Sequence, residues 1–458
     1  MLWKGMSKEM KCMRLQMVLA GMAMWIAAAQ AQSTLGLHEA IDRALGLNPE
    51  AAAALAGVDE ARAGVALART ALLPQIRFTE DMSKGDDPVY AFGTRLRQQR
   101  FAQANFAIDS LNRPEPISDF SSRISGGWQV FDALRTQKQI EGARHLQKSA
   151  VAQAGAVNQK IVFDVVAAYQ QILYGEREVA TASHQLETAK ALEQSADDHV
   201  KAGLAVESDR MAAAVNVVAC RQALIAAEGD RTLAWDGLRL AMGAPEQEIV
   251  ALRPLEQRSY PASSLEEDLA LAVEHRKDLH ALDEIAEGQK TAASAARRNF
   301  GPQVNLYGNW ENDRASLTSA GGTNWVAGVQ IGLDLQPLAK RAQLAQQKAQ
   351  QTRAEALARA ARQQIRLQVS QAHTAQATAR EAMQTAHAAI RQAQESLRIV
   401  KNRYEAGLAT ITDLLRAEDA ARLSETNYWR AVYGNAMAYA QLLFATGTLT
   451  PDAAEVLQ

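Results

Sequence analysis

Residues that could carry catalysis or bind a metal ion are scattered along the chain. Of the eight histidines, His373 and His387 fall on one predicted helix, but they lie ~21 Å apart and cannot share a metal ion. The two cysteines, Cys12 and Cys220, exclude a disulfide scaffold and a C-x-x-C site. No G-x-S-x-G, P-loop or H-E-x-x-H motif occurs. The sequence therefore predicts a protein that is not an enzyme and needs no metal ion or cofactor.

Two aspartates beside repeated glycine turns are candidates for a functional charge. The tetrapeptide Ala-Gly-Leu-Ala occurs twice, with its glycines at Gly203 and Gly407, and Asp209 and Asp413 follow at the same distance. Glycine can adopt a positive φ, so each glycine is expected to end a helix. An acidic residue in the first turn of the next helix also interacts favourably with the helix dipole. A structural role for both aspartates is therefore open beside a functional one.

Long helices leading into these turns are predicted from apolar and small residues that step by four and three. In the second half of the chain these positions hold Ile365, Val369, Ala372, Gln376, Ala379, Met383, Ala386, Ile390, Ala393, Leu397, Val400 and Tyr404. In the first half they hold Ile161, Val165, Ala168, Ile172, Gly175, Val179, Ala182, Leu186, Ala189, Glu193, Ala196 and Val200. This spacing is typical of a coiled-coil seam. A helix from about Ala133 to Lys201 would be ~100 Å long, and Ser208 and Thr412 are the expected N-caps of the return helices.

Strands are predicted before each long helix, because apolar and polar residues alternate there with a period of two. The first half has one strand around Ile76 and Phe78, a surface loop over 80–122, and a second strand around Trp128. The second half has two strands near 302–335. The aromatic residues in these strands are Trp128, Tyr307, Trp310 and Trp325. They suit the girdle that aromatic side chains form at a membrane interface, or the packing of an ordinary sheet.

The chain contains two copies of one unit. Pro74 and the two residues after it match Pro302 and the two residues after it, at an offset of 228 positions. The glycine turns match at an offset of 204 positions. The difference is accounted for by the longer loop of the first copy. We therefore divide the chain into a first repeat over 32–262, with its hairpin tip near residue 203, and a second over 263–458, with its tip near residue 407.

The first 31 residues have the pattern of a secretory signal peptide. Four basic residues precede an apolar run from Leu15 to Ala29, which ends in an A-x-A-like site. Cleavage after Ala31 is the natural interpretation, and the alternative is an uncleaved anchor helix. The full chain is 48% hydrophobic with a formal net charge of −2, a composition that excludes a disordered protein and the basic surface of a nucleic-acid binder.

Four amphipathic strands cannot close a membrane barrel, since the smallest have about eight. Open strand edges in lipid would leave backbone groups without hydrogen bonds, so strands that span a membrane require the chain to oligomerise. Exported strands joined to ~100 Å hairpins predict a barrel in an outer membrane that continues into a periplasmic helical tube.

Three segments of the sequence resemble the outer-membrane efflux protein (TolC-like) family. They are residues 37–50, which open the first repeat, Trp128–Asp132 before the first long helix, and residues 403–415 at the second turn. The resemblance covers nearly all of the chain after the signal peptide, in the order of the family.

This resemblance implies an α+β membrane protein that forms a homotrimer. Four transmembrane strands from each chain would make a 12-stranded barrel, continued by a long periplasmic barrel of coiled-coil helices. The partners would be outer-membrane lipid, a periplasmic adaptor protein and an inner-membrane pump, in a Gram-negative bacterium. The function would be that of a passive conduit in a tripartite efflux system, with no nucleic acid bound.

The resemblance also implies roles for residues at the turns. Gly203, Leu204, Gly407 and Leu408 match the motif that docks on the adaptor, although the glycines are helix stops in either interpretation. Asp413 matches a carboxylate ring at the periplasmic entrance. Asp209 and Tyr404 match partners of a hydrogen bond that holds the gate closed. The sequence departs from the family pattern at two of these positions. Arg416 stands where the family's best-studied member has a second acidic residue, and Ala409 stands where it has the gating arginine. Arg416 could pair with Asp413 or Glu418.

Two other functions stay open at this point. A channel for type I protein secretion uses a similar conduit. A periplasmic coiled-coil structural or adaptor protein would share the hairpins and never enter a membrane. The duplicated strand-loop-strand units favour a channel.

Overall fold

The computed structural model describes residues 34–244, 251–252 and 258–457, so the predicted signal peptide lies outside the described residues. The chain divides into two compact units. The helical unit comprises the described parts of Met1–Ala54, Ala154–Lys277 and Arg362–Gln458, and the sheet unit comprises Leu55–Gln153 and Asp278–Ala361.

Six strands form two sheets in the described chain. They are β1 Thr34–Leu35, β2 Gln75–Gly85, β3 Ile117–Phe131, β4 Ala251–Leu252, β5 Gln303–Arg314 and β6 Gly322–Gly332. The short strands β1 and β4 pair in parallel within the helical unit. The other four form one antiparallel sheet in the order β2-β3-β5-β6, so β2 and β6 are its edge strands.

The four-stranded sheet has one polar and one apolar face. On the apolar face, Ile124 of β3 pairs with Trp310 of β5, which pairs with Trp325 of β6. One residue along, on the polar face, the guanidinium of Arg123 forms an ion pair of 3.2 Å with Glu311. Exposed side chains that continue the apolar face are Ile76, Phe78, Met82, Trp128, Leu306, Val329 and Ile331. The alternation predicted from the sequence is thus present, and a β-bulge between Gln129 and Phe131 shifts the register of β3 against β5.

The surface loop predicted over 80–122 is shorter than expected and partly helical. Strand β2 continues to Gly85 and β3 already begins at Ile117. The prediction was wrong at both ends because Glu80, Lys84 and Ser122 interrupt the apolar alternation. Between the strands lie two α-helices and a short 3₁₀ segment, which contain many of the polar residues that suggested a loop.

Eleven α-helices lie in the described residues. They are α1 Leu37–Leu47, α2 Pro49–Thr70, α3 Pro88–Arg97, α4 Ile108–Asn112, α5 Arg135–Lys201, α6 Glu207–Met242, α7 Leu265–His275, α8 Lys277–Arg298, α9 Pro337–Glu405, α10 Ile411–Thr446 and α11 Pro451–Ala454. Two helices lie at the start of each half, α1 with α2 and α7 with α8. The break between α1 and α2 falls before Pro49, because the residue before a proline is disfavoured in helical conformation.

The coiled-coil positions predicted on α5 and α9 face inward. All twelve on each helix are buried or half-buried, including Val165 and Val369, which are fully buried. The core of the helical unit gathers Tyr169 and Ile172 of α5 with Leu238 of α6 and Val432 of α10. The seam therefore packs the hairpins against one another.

Candidate functional site

Two turns of nearly the same conformation end the long helices. The φ angles of Gly203 and Gly407 are 73° and 72°. The N–H of Leu204 donates to the His199 carbonyl at 2.8 Å, and the N–H of Leu408 donates to the Arg403 carbonyl at 2.7 Å. Each hydrogen bond satisfies a carbonyl at the end of its long helix. Leu204 and Leu408 are 77% and 70% exposed. Each turn thus presents one apolar side chain to solvent, on a backbone that only glycine adopts easily.

The second turn passes directly into a capped helix. The hydroxyl of Thr410 donates to Asp413 Oδ2 at 2.7 Å, and the Asp413 N–H donates to Thr410 Oγ1 at 3.2 Å. The N-cap of α10 is therefore Thr410, and the expectation of Thr412 was wrong. The pattern Thr-x-x-Asp is the sequence signal that should have identified this capping box. In the first turn, Val206 occupies the cap position of α6 without a side-chain hydrogen bond, and Ser208 lies inside the helix.

Asp413 is exposed and held as an anion. Hydrogen bonds from the side chain and backbone of Thr410 lower the pKa of its carboxyl, and the charges of Arg416 and Arg403 act in the same direction. The capping role of Asp413 is therefore present in the structure, and it leaves the carboxylate exposed at the start of α10.

Arg416 is exposed and forms no ion pair with Asp413 or Glu418 in the described residues. Burial raises the pKa of Glu418, whose charged neighbours are Lys401 and His184. The pairing considered from the sequence is thus not present, because Glu418 is turned toward the α5 and α9 side of the hairpins.

Tyr404 lies behind the tips in a small apolar cluster. Its ring packs with Ile411 and Leu414, and its centroid lies 5.6 Å from that of His199 on α5. Burial, and then the charge of Asp209, raises the pKa of the Tyr404 hydroxyl. That hydroxyl is buried and makes no hydrogen bond within the described chain. The fold brings Asp209 and Tyr404 into electrostatic contact, while the predicted gating hydrogen bond stays a prediction.

Three of the four aromatic girdle candidates lie on the apolar sheet face. They are Trp128, Trp310 and Trp325, which are 43%, 40% and 77% exposed. Tyr307 lies on the polar face instead, since it pairs with Gly127 and Gly328 in odd register. A Cβ added at Gly328 would lie 2.6 Å from the Tyr307 hydroxyl oxygen, so the ring covers this glycine. The assignment of Tyr307 to the girdle was therefore wrong.

One helix in the described part of the chain, α6, is long and apolar enough to cross a membrane by length and composition. Its most apolar stretch is only 17% buried within the chain. Helix α6 contacts α1 and α10, and its Leu238 and Met242 enter the core of the helical unit. No group of three or more His, Cys, Asp or Glu side chains that could hold a metal ion occurs in the residues that the structure describes.

A sheet with one apolar face, joined to long helical hairpins with matched glycine turns, defines a class of outer-membrane channels built from strands and helices. The chain belongs to the outer membrane efflux protein family, whose sequence model matches residues 40–244 and 269–448. The protein is therefore an efflux channel component of the outer membrane that extends into the periplasm. This membership excludes a periplasmic coiled-coil protein that never enters a membrane.

Individual relatives agree with this assignment. Protein CyaE of Bordetella pertussis is 25% identical over 427 residues, which cover 91% of this chain and 84% of the relative. The outer-membrane channel OprN superposes with a TM-score of 0.78 at 18% identity and covers 90% of both chains. The outer membrane protein VceC from Vibrio cholerae has a TM-score of 0.76 at 18% identity, covering 90% of this chain and 96% of VceC. These structures share the fold.

Proposed function

We propose that three copies of this chain form one passive conduit, which receives substrates from a periplasmic adaptor protein and an inner-membrane pump. The proposal rests chiefly on the open sheet. Its edge strands β2 and β6 are each 11 residues long, and no strand in the described part of the chain pairs with their outer sides. That length suits a tilted membrane strand of ~9–11 residues. Lipid cannot satisfy these backbone groups, so β2 of one copy would pair with β6 of the next.

The exposed side of α6 supports lateral contact between copies. Met211, Val215, Val218 and Ile225 are each more than half exposed and follow the four-three spacing of a helix seam. Solvated apolar side chains at this spacing are typical of a surface that another helix covers. A trimer would place α6 of each copy beside a helix of its neighbour.

The turns and the residues behind them supply the proposed docking surface and entrance. Leu204 and Leu408 would insert into the adaptor. Three Asp413 carboxylates around the trimer axis would produce a negative field that concentrates cations. Asp209 and Tyr404 would contribute to a closed gate.

The assembly is tested on outer-membrane fractions of cells that produce the full chain. Unheated and boiled samples are compared by gel, and the detergent-extracted protein is sized by light scattering. A trimer that dissociates on boiling is expected. A monomer in the membrane extract would overturn the closed barrel.

The efflux role is tested by deleting the gene and measuring susceptibility to drugs, detergents and metal salts. Increased susceptibility that the wild-type chain reverses is expected. Unchanged susceptibility together with loss of a secreted protein would instead favour the type I secretion alternative.

A further inference from the structure

A group of buried oxygen atoms lies between α3 and the polar face of the sheet, apart from the hairpin turns. At its centre are Asp119 on β3 and Asp313 on β5, which are 5% and 0% exposed. Two arginines on the same strands are paired elsewhere, Arg123 with Glu311 and Arg314 with Glu80. Neither buried aspartate forms an ion pair among the described residues, although the charge of Arg97 acts on Asp313. Two buried carboxylates therefore lack a cation in direct contact.

The end of α3 covers both carboxylates. The side-chain amide of Gln98 donates to Asp119 Oδ1 at 3.0 Å and to the Ser118 carbonyl at 2.9 Å. On the other side, the amide of Asn324 donates to the Arg97 carbonyl at 3.2 Å and to Asp313 Oδ2 at 3.5 Å. Helix α3 also contacts β3, β5 and β6. The site is thus a built enclosure within one unit of one chain.

Four oxygen atoms in this enclosure make no hydrogen bond of good geometry within the described chain. They are Thr94 Oγ1, Gln98 Oε1, Ser121 Oγ and Asp313 Oδ1. Of these, the Ser121 hydroxyl and the Asp313 carboxyl lie close enough to interact with each other. The four residues are all at least 95% buried. Ser121 is the register partner of Asp313 and shares a sheet face with Asp119. Thr94 of α3 and Gln98, the C-cap residue of this helix, lie one turn apart on the side that meets the sheet. Buried oxygens without partners are rare, because each has lost water without replacement.

We infer that Thr94, Gln98, Asp119, Ser121 and Asp313 bind one hard divalent cation. The donors are two carboxylates, an amide carbonyl and two hydroxyls, all oxygen ligands of the kind that Ca²⁺ and Mg²⁺ take. Two carboxylates match the charge of one such ion. Ca²⁺ fits better, since it accepts neutral oxygens in flexible geometry, whereas Mg²⁺ demands an octahedron and retains its waters.

The cation would fasten α3 to the strands that it covers. Its ligands come from α3, β3 and β5, so its removal leaves two repelling carboxylates beneath the helix. The segment 86–116 that joins β2 to β3 is then less firmly attached to the polar face. The site lies within one chain, so it stands or fails independently of the trimer and of the efflux role.

The experiment uses the full chain, extracted in detergent, stripped with EDTA and exchanged into chelator-free buffer. CaCl₂ is titrated by calorimetry, and thermal unfolding is followed with and without Ca²⁺. One Ca²⁺ per chain, saturating below about 1 mM, and a higher unfolding temperature are expected. MgCl₂ should bind more weakly.

Three variants separate this site from other acidic surfaces. Asp313→Asn should lower Ca²⁺ affinity roughly tenfold or more, and Ser121→Ala should lower it less, because affinity follows ligand charge and number. The matched control is Asp109→Asn, an exposed aspartate on α4 in the same segment, which should bind like wild type. Without cation, Asp313→Asn should unfold no earlier than stripped wild type, since it removes an unpaired buried charge.

Two results would overturn the inference. One is the absence of saturable Ca²⁺ binding to the stripped chain, in which case protonation of a buried carboxyl group would account for the burial of the two aspartates. The other is equal binding by Asp313→Asn, Ser121→Ala and Asp109→Asn, which would place the bound ion elsewhere.

Discussion

Leu408 is an apolar side chain that the fold leaves 70% exposed, on a turn whose backbone depends on glycine. If it docks on an adaptor, a charge at this position must be desolvated on binding. Leu408→Asp is therefore expected to lower efflux and to raise drug susceptibility several-fold in a complemented deletion strain. The trimer band on an unheated gel should be unchanged.

A matched control for this change is Thr412→Asp. It adds the same charge near the same tip, but at an exposed position in the first turn of α10, where an acid suits the helix dipole. Equal susceptibility for both variants and wild type would contradict docking through Leu408.

Asp413 predicts a pH dependence of ion selectivity. Its hydrogen bonds from Thr410 lower its pKa below the ordinary aspartate value of ~3.9. The carboxylate should therefore remain charged as pH falls from 7 to about 4, and cation preference should be lost only below that range. The same lowered pKa means that its contribution to stability is present above the unfolded pKa and lost as pH falls through the folded one.

Reversal potentials in planar bilayers measure this preference. Asp413→Asn should reduce it at pH 7, whereas Asp419→Asn, an exposed acid on α10 paired with Arg422, should not. An unaltered preference in Asp413→Asn would leave Asp413 with its capping role alone.

At the scale of the elements, the return helix α10 depends on its N-cap. Thr410→Ala removes the side-chain acceptor of the Asp413 N–H and is expected to cost ~1 kcal/mol of stability. Thr412→Ala, two residues on and exposed, should be close to neutral. Thermal unfolding of the detergent-solubilised protein compares the two, and equal values would mean that the capping box contributes nothing measurable.

At the scale of the whole molecule, the apolar sheet face should meet lipid. Trp128, Trp310 and Trp325 are on this face, whereas Trp235 and Trp429 pack against the core of the helical unit. In vesicles with brominated acyl chains, we expect quenching of tryptophan fluorescence that Trp325→Phe reduces. Trp235→Phe should leave the quenched fluorescence unchanged. If the quenching instead comes only from Trp235 and Trp429, the assignment of the membrane face is contradicted.

Short-range periodicity in the sequence was enough to predict the long helices, the seam positions and the two-faced strands. These features repeat every 3.5 or two residues, and local geometry translates such spacing directly into a buried face. The same alternation could have placed Tyr307 on the polar face, since it differs in parity from Leu306. Likewise, the Thr410–Asp413 spacing already contained the capping box.

The tertiary structure alone decided what covers the polar sheet face. The sequence of 86–116 is rich in polar residues and indicated a loop, yet α3 lies there and Gln98 reaches the carboxylate of Asp119. Asp119 and Asp313 are 194 positions apart, and only the pairing of β3 with β5 brings them together. A charged residue considered alone is predicted to be exposed. The burial of Asp119 and Asp313 follows from contacts between distant segments, which no local sequence pattern encodes.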